Sequence, residues 1–144
     1  MTVDPIPKGY HTVTPYLSVP DAASLIAFLV KGFDAIEVER HAMPDGRIIN
    51  AQVRVGDSMV LVADGPRDRE SFPATFYMYV SDVDAAYLKA VDAGGTSIKK
   101  PYDEFYGDRI AAVADPAANR WFFASHREEM SEEELVRRAV VERG

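Results

Sequence analysis

Three histidines, two acidic groupings and one aromatic-charged block are the residues of this chain whose types and spacing can do chemistry. His41 ends an alternating run in which Glu37 and Glu39 share its parity, so the three side chains are expected on one strand face, where a carboxylate or imidazole can move a proton. His11 and His126 stand apart from any such partner in the sequence and read as solvated side chains. Asp103-Glu104 and Asp108 offer hard oxygen donors, yet acidic residues beside a turn serve equally as caps or solvated charge. In Phe105-Tyr-Gly-Asp-Arg109, Gly107 permits a tight turn. Phe105 and Tyr106 can act there as a lid, and Arg109 as a fork for an anionic group. The same block also reads as a turn clamp with an internal Asp108–Arg109 ion pair. No Ser-His-Asp arrangement, P-loop, GxGxxG motif or zinc ribbon is present.

The totals exclude several classes. At 144 residues and 47% hydrophobic content the chain can bury one ordinary core, and a single domain spanning 1–144 is the expectation. A formal net charge of −7 repels phosphate backbones and anionic headgroups, so neither nucleic acid nor membrane is an expected partner. The absence of cysteine excludes disulfides and thiolate metal sites, and suits a reducing cytoplasm. No apolar run approaches the roughly 20 residues that span a bilayer, and the first residues lack a signal layout, so the expected location is cytoplasmic.

The elements that must position these groups come in two similar sets. Alternation over 14–19 gives a strand, with Pro15 at a position that needs no ladder N–H. Asp21 caps a helix over 22–31 that ends near Gly32, and strands follow over 35–41, 47–55 and 59–63, with turns at Pro44-Asp-Gly46 and Gly56-Asp57. The second set repeats the order: a strand over 75–80, a helix over 83–93 capped by Asp82 and closed by Gly94-Gly95, then strands over 96–100, 109–114 and 120–125. Its junction matches the first with an offset of 61, Thr14 on Thr75, Tyr16 on Tyr77, Val19 on Val80 and Asp21 on Asp82. The expected class is therefore α+β: two βαβββ modules (about 10–64 and 75–126), a linker over 65–74 that is either solvated or a flap, and an amphipathic C-terminal helix over 131–142 opened by Ser131.

The paired Val-x-Asp junctions, Tyr106-Gly-Asp-Arg109 and Asp115-Pro-x-x-Asn-Arg-Trp121 resemble the glyoxalase/bleomycin-resistance/dioxygenase (vicinal oxygen chelate) superfamily. Pro15-Tyr-Leu, Phe105-Tyr-Gly-Asp-Arg109, Arg120-Trp121 and Ser131-Glu-Glu-Glu-Leu135 are similar to its PhnB-like branch. The resemblance implies sheets curled around a small-molecule pocket, a homodimer, and in many members a divalent metal held by His, Gln or Glu at four strand positions. Counting puts Thr14, Val60, Thr75 and Phe122 there, none an ordinary metal ligand, so neither a metal nor another cofactor is expected.

With the family's orientation, Tyr16, Ser18, Tyr77, Tyr79 and Phe122 face the pocket. Ile49, Ala51, Val53 and Val55 turn to the core while Asn50, Gln52 and Arg54 turn away from it. The ligand-binding candidates are Tyr16, Asn50, Tyr77, Tyr79, Phe105, Tyr106, Arg109 and Phe122; the tyrosines equally suit a half-wet sheet, because tyrosine forms strands well. The expected function is metal-independent binding of a cationic or aromatic compound, such as an antibiotic that is sequestered unaltered. The alternative is a lyase, isomerase or dioxygenase of the superfamily with a displaced metal site, or one using metal-free acid–base chemistry through His41 or a glutamate.

Overall fold

The structure, a computed structural model, describes residues 2–65 and 72–143. The candidate flap over 65–72 falls mostly on 66–71, outside the described residues. Two compact units divide the chain, the first ending at Pro73 and the second beginning at Ala74.

The first unit runs β1 (Tyr16–Val19), α1 (Ala22–Phe33), β2 (Ile36–Ala42), β3 (Ile48–Val55) and β4 (Ser58–Asp64). Its sheet has the order β1-β4-β3-β2, with β1 parallel to β4 and the other pairs antiparallel. Pro15 sits at the start of an edge strand, where its carbonyl accepts from Leu61 N–H and no N–H is demanded of it. Asp21 caps α1 by accepting from Ser24 N–H at 3.1 Å. The helix continues one residue beyond Gly32, because Gly32 is buried within it and Asp34 takes the left-handed position at φ 56°.

Leu25, Ile26, Phe28 and Leu29 of α1 are buried with Leu17, Val19, Ala51, Val53 and Val62, so one sheet face is the core side. Each Leu, Ile, Phe or Val among them contributes about 1.5–3 kcal/mol by leaving water. One carboxylate ties three elements together: Asp64 at the end of β4 accepts from Ala22 N–H at 2.8 Å and from Ile48 N–H at 2.7 Å.

The second unit repeats this order as β5 (Thr75–Tyr79), α2 (Val83–Asp92), β6 (Thr96–Asp103), β7 (Asp108–Ala114) and β8 (Arg120–His126), followed by α3 (Glu132–Arg143). The sheet order is β5-β8-β7-β6, with β5 parallel to β8. Val83, Tyr87 and Ala90 of α2 are buried, as are Ala111, Val113, Trp121 and Phe123. Asp115, at the β7–β8 turn, accepts from Ala117 and Asn119 N–H, from the Asn119 amide and from the Trp121 indole. β6 extends three residues past Lys100, through Pro101, which an edge strand tolerates because no ladder N–H is required there.

In the first sheet strict alternation fails at two bulges. On β3 Asn50 pairs with His41 and Ile48 with Ala42, so Ile49 is the extra residue: it is 53% exposed while Ile48 takes the core place at 2%. On β2 Val38 is the extra residue, which puts Glu37 opposite core-facing Val53 and Glu39 opposite Gln52, so Glu37 does not share a face with Glu39 and His41. The position counted as Val60 also needs correction. Val60 pairs with Val53 on the core side, and Leu61 is the residue beside Tyr16, as Phe122 is beside Tyr77. Leu61 stands five residues after Gly56 whereas Phe122 stands four after Ala118, so the same count from the turn misses by one in the first unit.

Candidate functional site

On the face of the second sheet away from α2, register places Tyr77, Phe122, Ala112 and Lys99 in one row across four strands. Tyr77 lies nearly parallel to Phe122, with ring centroids 6.2 Å apart and planes 19° apart, and Tyr79 meets Tyr77 edge-on at 5.6 Å. Tyr79 is 68% exposed and Tyr77 42%, so these rings present aromatic surface to solvent.

A polar chain runs from this surface inward. The Tyr77 hydroxyl donates to Asp108 Oδ2 at 2.7 Å, and its only proton is thereby used, so Tyr106, 3.1 Å away, donates to the Tyr77 oxygen. Asp108 is 5% exposed, and its second oxygen lies 2.8 Å from His126 Nδ1. His126 Nε2 in turn lies 2.9 Å from Glu129. Carboxylates only accept, so a ring flanked by two of them is placed as the imidazolium. Asp108 first, then Glu129, raises the His126 pKa above its ordinary value. Burial foremost, then the Tyr106 and Asp108 contacts, raises that of Tyr77; burial foremost also raises that of Tyr106. Both phenols stay protonated and act as hydrogen-bonding walls.

The loop carrying Phe105 and Tyr106 is a tight turn in which Gly107 N–H bonds Glu104 O and the Gly107 carbonyl accepts from Arg127 and Glu128 N–H. Gly107 has φ +100°, and an added Cβ would collide with the Glu128 carbonyl. Phe105 and Tyr106 stand edge-on at 5.3 Å. Asp103, Glu104, Gly107, Asp108, Arg127 and Glu128 line a cleft of about 390 Å³ beside it.

Arg109 lies elsewhere. Alternation turns it to the α2 side, where Nε and Nη2 grip Asp84 at 2.8 and 2.9 Å and Nη1 reaches Asp103 at 3.2 Å. Its fork holds the fold's own carboxylates, and it is paired with neither Asp108 nor the tyrosine cluster.

In the first unit, the corresponding row is Tyr16, Leu61, Gln52 and Glu39, with Ser18, Ala63, Asn50 and His41 beside it. Tyr16 is 58% exposed. Asn50 Oδ1 is buried and has no hydrogen-bond partner among the described residues. Glu39 accepts from Gln52 Nε2 at 3.1 Å and lies 3.4 Å from His41, while Glu37 bonds Arg40.

His126 is the group that sequence reasoning passed over. Its signal was parity: 122, 124 and 126 alternate onto one face, as do 108, 110 and 112, and an antiparallel register brings 108 and 126 together. The four metal positions implied by the resemblance carry Thr14, Leu61, Thr75 and Phe122, two hydroxyls and two hydrocarbon side chains, and this donor set does not fit a divalent metal. Among the described residues no group of three or more His, Asp or Glu is placed to hold one.

The family model of the Glyoxalase/Bleomycin resistance protein/Dioxygenase superfamily matches residues 10–123. Uncharacterized proteins of Mycobacterium bovis and Mycobacterium tuberculosis are 35% identical over 134 residues, covering 85% of this chain and 88% and 79% of theirs. The crystal structure of TioX from Micromonospora sp. ML1 is similar with a TM-score of 0.68 at 24% identity, over 78% of this chain and 96% of that one. A superfamily member from Sphaerobacter thermophilus gives 0.63 at 21% identity, over 80% and 96%. These likenesses agree with the two mixed four-stranded sheets and their helices. The chain belongs to the glyoxalase/bleomycin resistance protein/dioxygenase superfamily.

Proposed function

We propose that the chain is a metal-independent binding protein for a planar, cationic organic compound, held against the exposed aromatic face of the second sheet. The observation that carries this reading is the Tyr77–Phe122 pair backed by the buried Asp108 carboxylate. Ring faces attract flat and cationic groups, and a net charge of −7 steers cations toward the molecule. Tyr79, Tyr106 and Phe105 extend the wall, and Tyr16 and Asn50 are the first unit's candidates. Sequestration of an antibiotic of this chemistry by a cytoplasmic homodimer of the PhnB-like branch is the physiological form of the proposal.

The test is fluorescence titration with proflavine, a planar cation, against a naphthalenesulfonate of similar area. Saturable proflavine binding that survives EDTA, with at least tenfold weaker binding of the anion, supports the reading; equal affinities, or affinity abolished by EDTA, remove it.

The Asp108–His126 contact favours a second reading, metal-free proton transfer, in which the His126 imidazolium turns Nε2–H from the exposed Glu129 to a substrate carbonyl and acts as the acid of an enolisation whose carbon proton goes to water. Its signature is deuterium exchange into a carbon acid such as dihydroxyacetone in D2O, catalysed by wild type and lost in His126→Gln. Exchange at the uncatalysed rate sinks it.

A further inference from the structure

The C-terminal helix buries no residue: Val136 and Val140 are 54% and 63% exposed, and Leu135 and Ala139 are only half-buried. Apolar packing is therefore a weak reason for α3 to lie where it does. Its polar attachment is much more specific. Arg138 Nη1 donates to the Phe105 carbonyl at 3.2 Å and to Glu128 Oε2 at 3.1 Å, Nη2 donates to Glu128 Oε1 at 2.8 Å, and Nε donates to Glu134 at 2.8 Å. Glu128 is the residue whose N–H holds the Gly107 carbonyl, and Arg143 lies 5.2 Å from the Phe105 ring centre. One guanidinium thus holds the turn that carries Tyr106 directly at the Phe105 carbonyl and, through Glu128, at the Gly107 carbonyl.

Resting on the proposed binding face, we infer that Arg138 is a positioning residue for the ligand site: α3 straps the turn at residues 104–107 so that the Tyr106 hydroxyl meets Tyr77. The planar fork suits the task. Its two terminal nitrogens engage one carboxylate end-on while a further N–H of Nη1 reaches a backbone carbonyl, which a lysine ammonium reproduces only in part. Without the strap, the turn keeps its internal hydrogen bonds but loses the tie that sets its angle to the sheet. Tyr106 then spends less time against Tyr77, and the wall of the aromatic face opens.

The test has a ligand-free arm and a ligand arm. In protein labelled with ¹³Cζ-tyrosine, the Tyr106 resonance, assigned with Tyr106→Phe, is titrated in wild type, Arg138→Ala and Arg138→Lys. Burial is the largest cause holding the Tyr106 ionisation up, against a lowering contact with Tyr77, so exposure of the opened turn is expected to bring it down toward the ordinary phenol value of about 10 in Arg138→Ala and partway in Arg138→Lys. Arg137→Ala, which removes a contact to Glu134 made by the same helix but none to the turn, leaves it unchanged. In the ligand arm, Arg138→Ala weakens proflavine binding roughly fivefold in wild type and less than about 1.5-fold in Tyr106→Phe, because its effect passes through Tyr106.

An unchanged Tyr106 titration in Arg138→Ala overturns the inference, as do equal losses of affinity in the two backgrounds. Should Arg138→Ala fail to fold, Glu128→Gln, which weakens the same grip from the other side, is held to the same outcomes. If wild type binds no proflavine, the binding reading falls while the tyrosine titration still decides whether Arg138 positions Tyr106.

Discussion

Tyr77 on β5 and Asp108 on β7 are joined at 2.7 Å although β8 lies between their strands. The phenol arm crosses one whole strand of the sheet to reach a carboxylate that is almost entirely buried. This single contact clamps three strands and holds the ring that carries the proposed stacking surface, so the hydroxyl and the ring have separable roles.

Tyr77→Phe keeps the ring and removes the hydrogen bond to a charged acceptor. It is expected to cost about 1.5–3 kcal/mol in urea unfolding. Tyr77→Leu removes the ring as well, and the additional expected change is a three- to tenfold loss of proflavine affinity.

Protonation of His126 couples stability to pH. Its folded-state pKa is raised, by Asp108 first and Glu129 second, so the charged ring stabilises the fold fully below the unfolded-state value near 6.5. That contribution is lost as pH rises through the folded-state pKa. Chemical denaturation of wild type and His126→Gln should show the largest gap below about pH 6 and a narrowing gap above neutrality. A gap that widens with pH contradicts the placement of His126.

Asp115 collects four donors at the β7–β8 turn and is 6% exposed. Asp115→Ala strands the Trp121 indole and the Asn119 amide without their acceptor. The expected loss is about 3 kcal/mol, read as a lowered urea midpoint with an unchanged slope.

Gly107→Ala meets two obstacles at once, a backbone at φ +100° and the Glu128 carbonyl in the space of the new methyl. The expected cost is about 2–3 kcal/mol by thermal unfolding. Hydrogen exchange should rise at residues 104–108 more than at β5, because the turn yields before the sheet does.

The duplicated framework was readable because its signals are local: Asp21 and Asp82 cap their helices with matching geometry, and alternation placed Ala51, Val53 and Val55 in the core. The failures came where one residue slipped the count. Ile49 and Val38 are extra residues in their ladders, and which residue bulges depends on the partner strand. Leu61 stood where Val60 was counted because it lies five residues after Gly56, not four. His126 was passed over because its two partners are reached through cross-strand register and a chain reversal, and Arg109 was offered to a ligand although α2 supplies its carboxylate.

The row formed by Tyr16, Leu61, Gln52 and Glu39 and the row formed by Tyr77, Phe122, Ala112 and Lys99 occupy equivalent places in two sheets of the same strand order. Each sheet packs its helix with one face, so the rows on the opposite face can differ, as these two do, while the helix-packing side stays alike in both units. One copy has become a charged and amide surface and the other an aromatic one. A gene that repeats its own scaffold can therefore alter what it recognises one half at a time, with the unaltered half preserving a working frame.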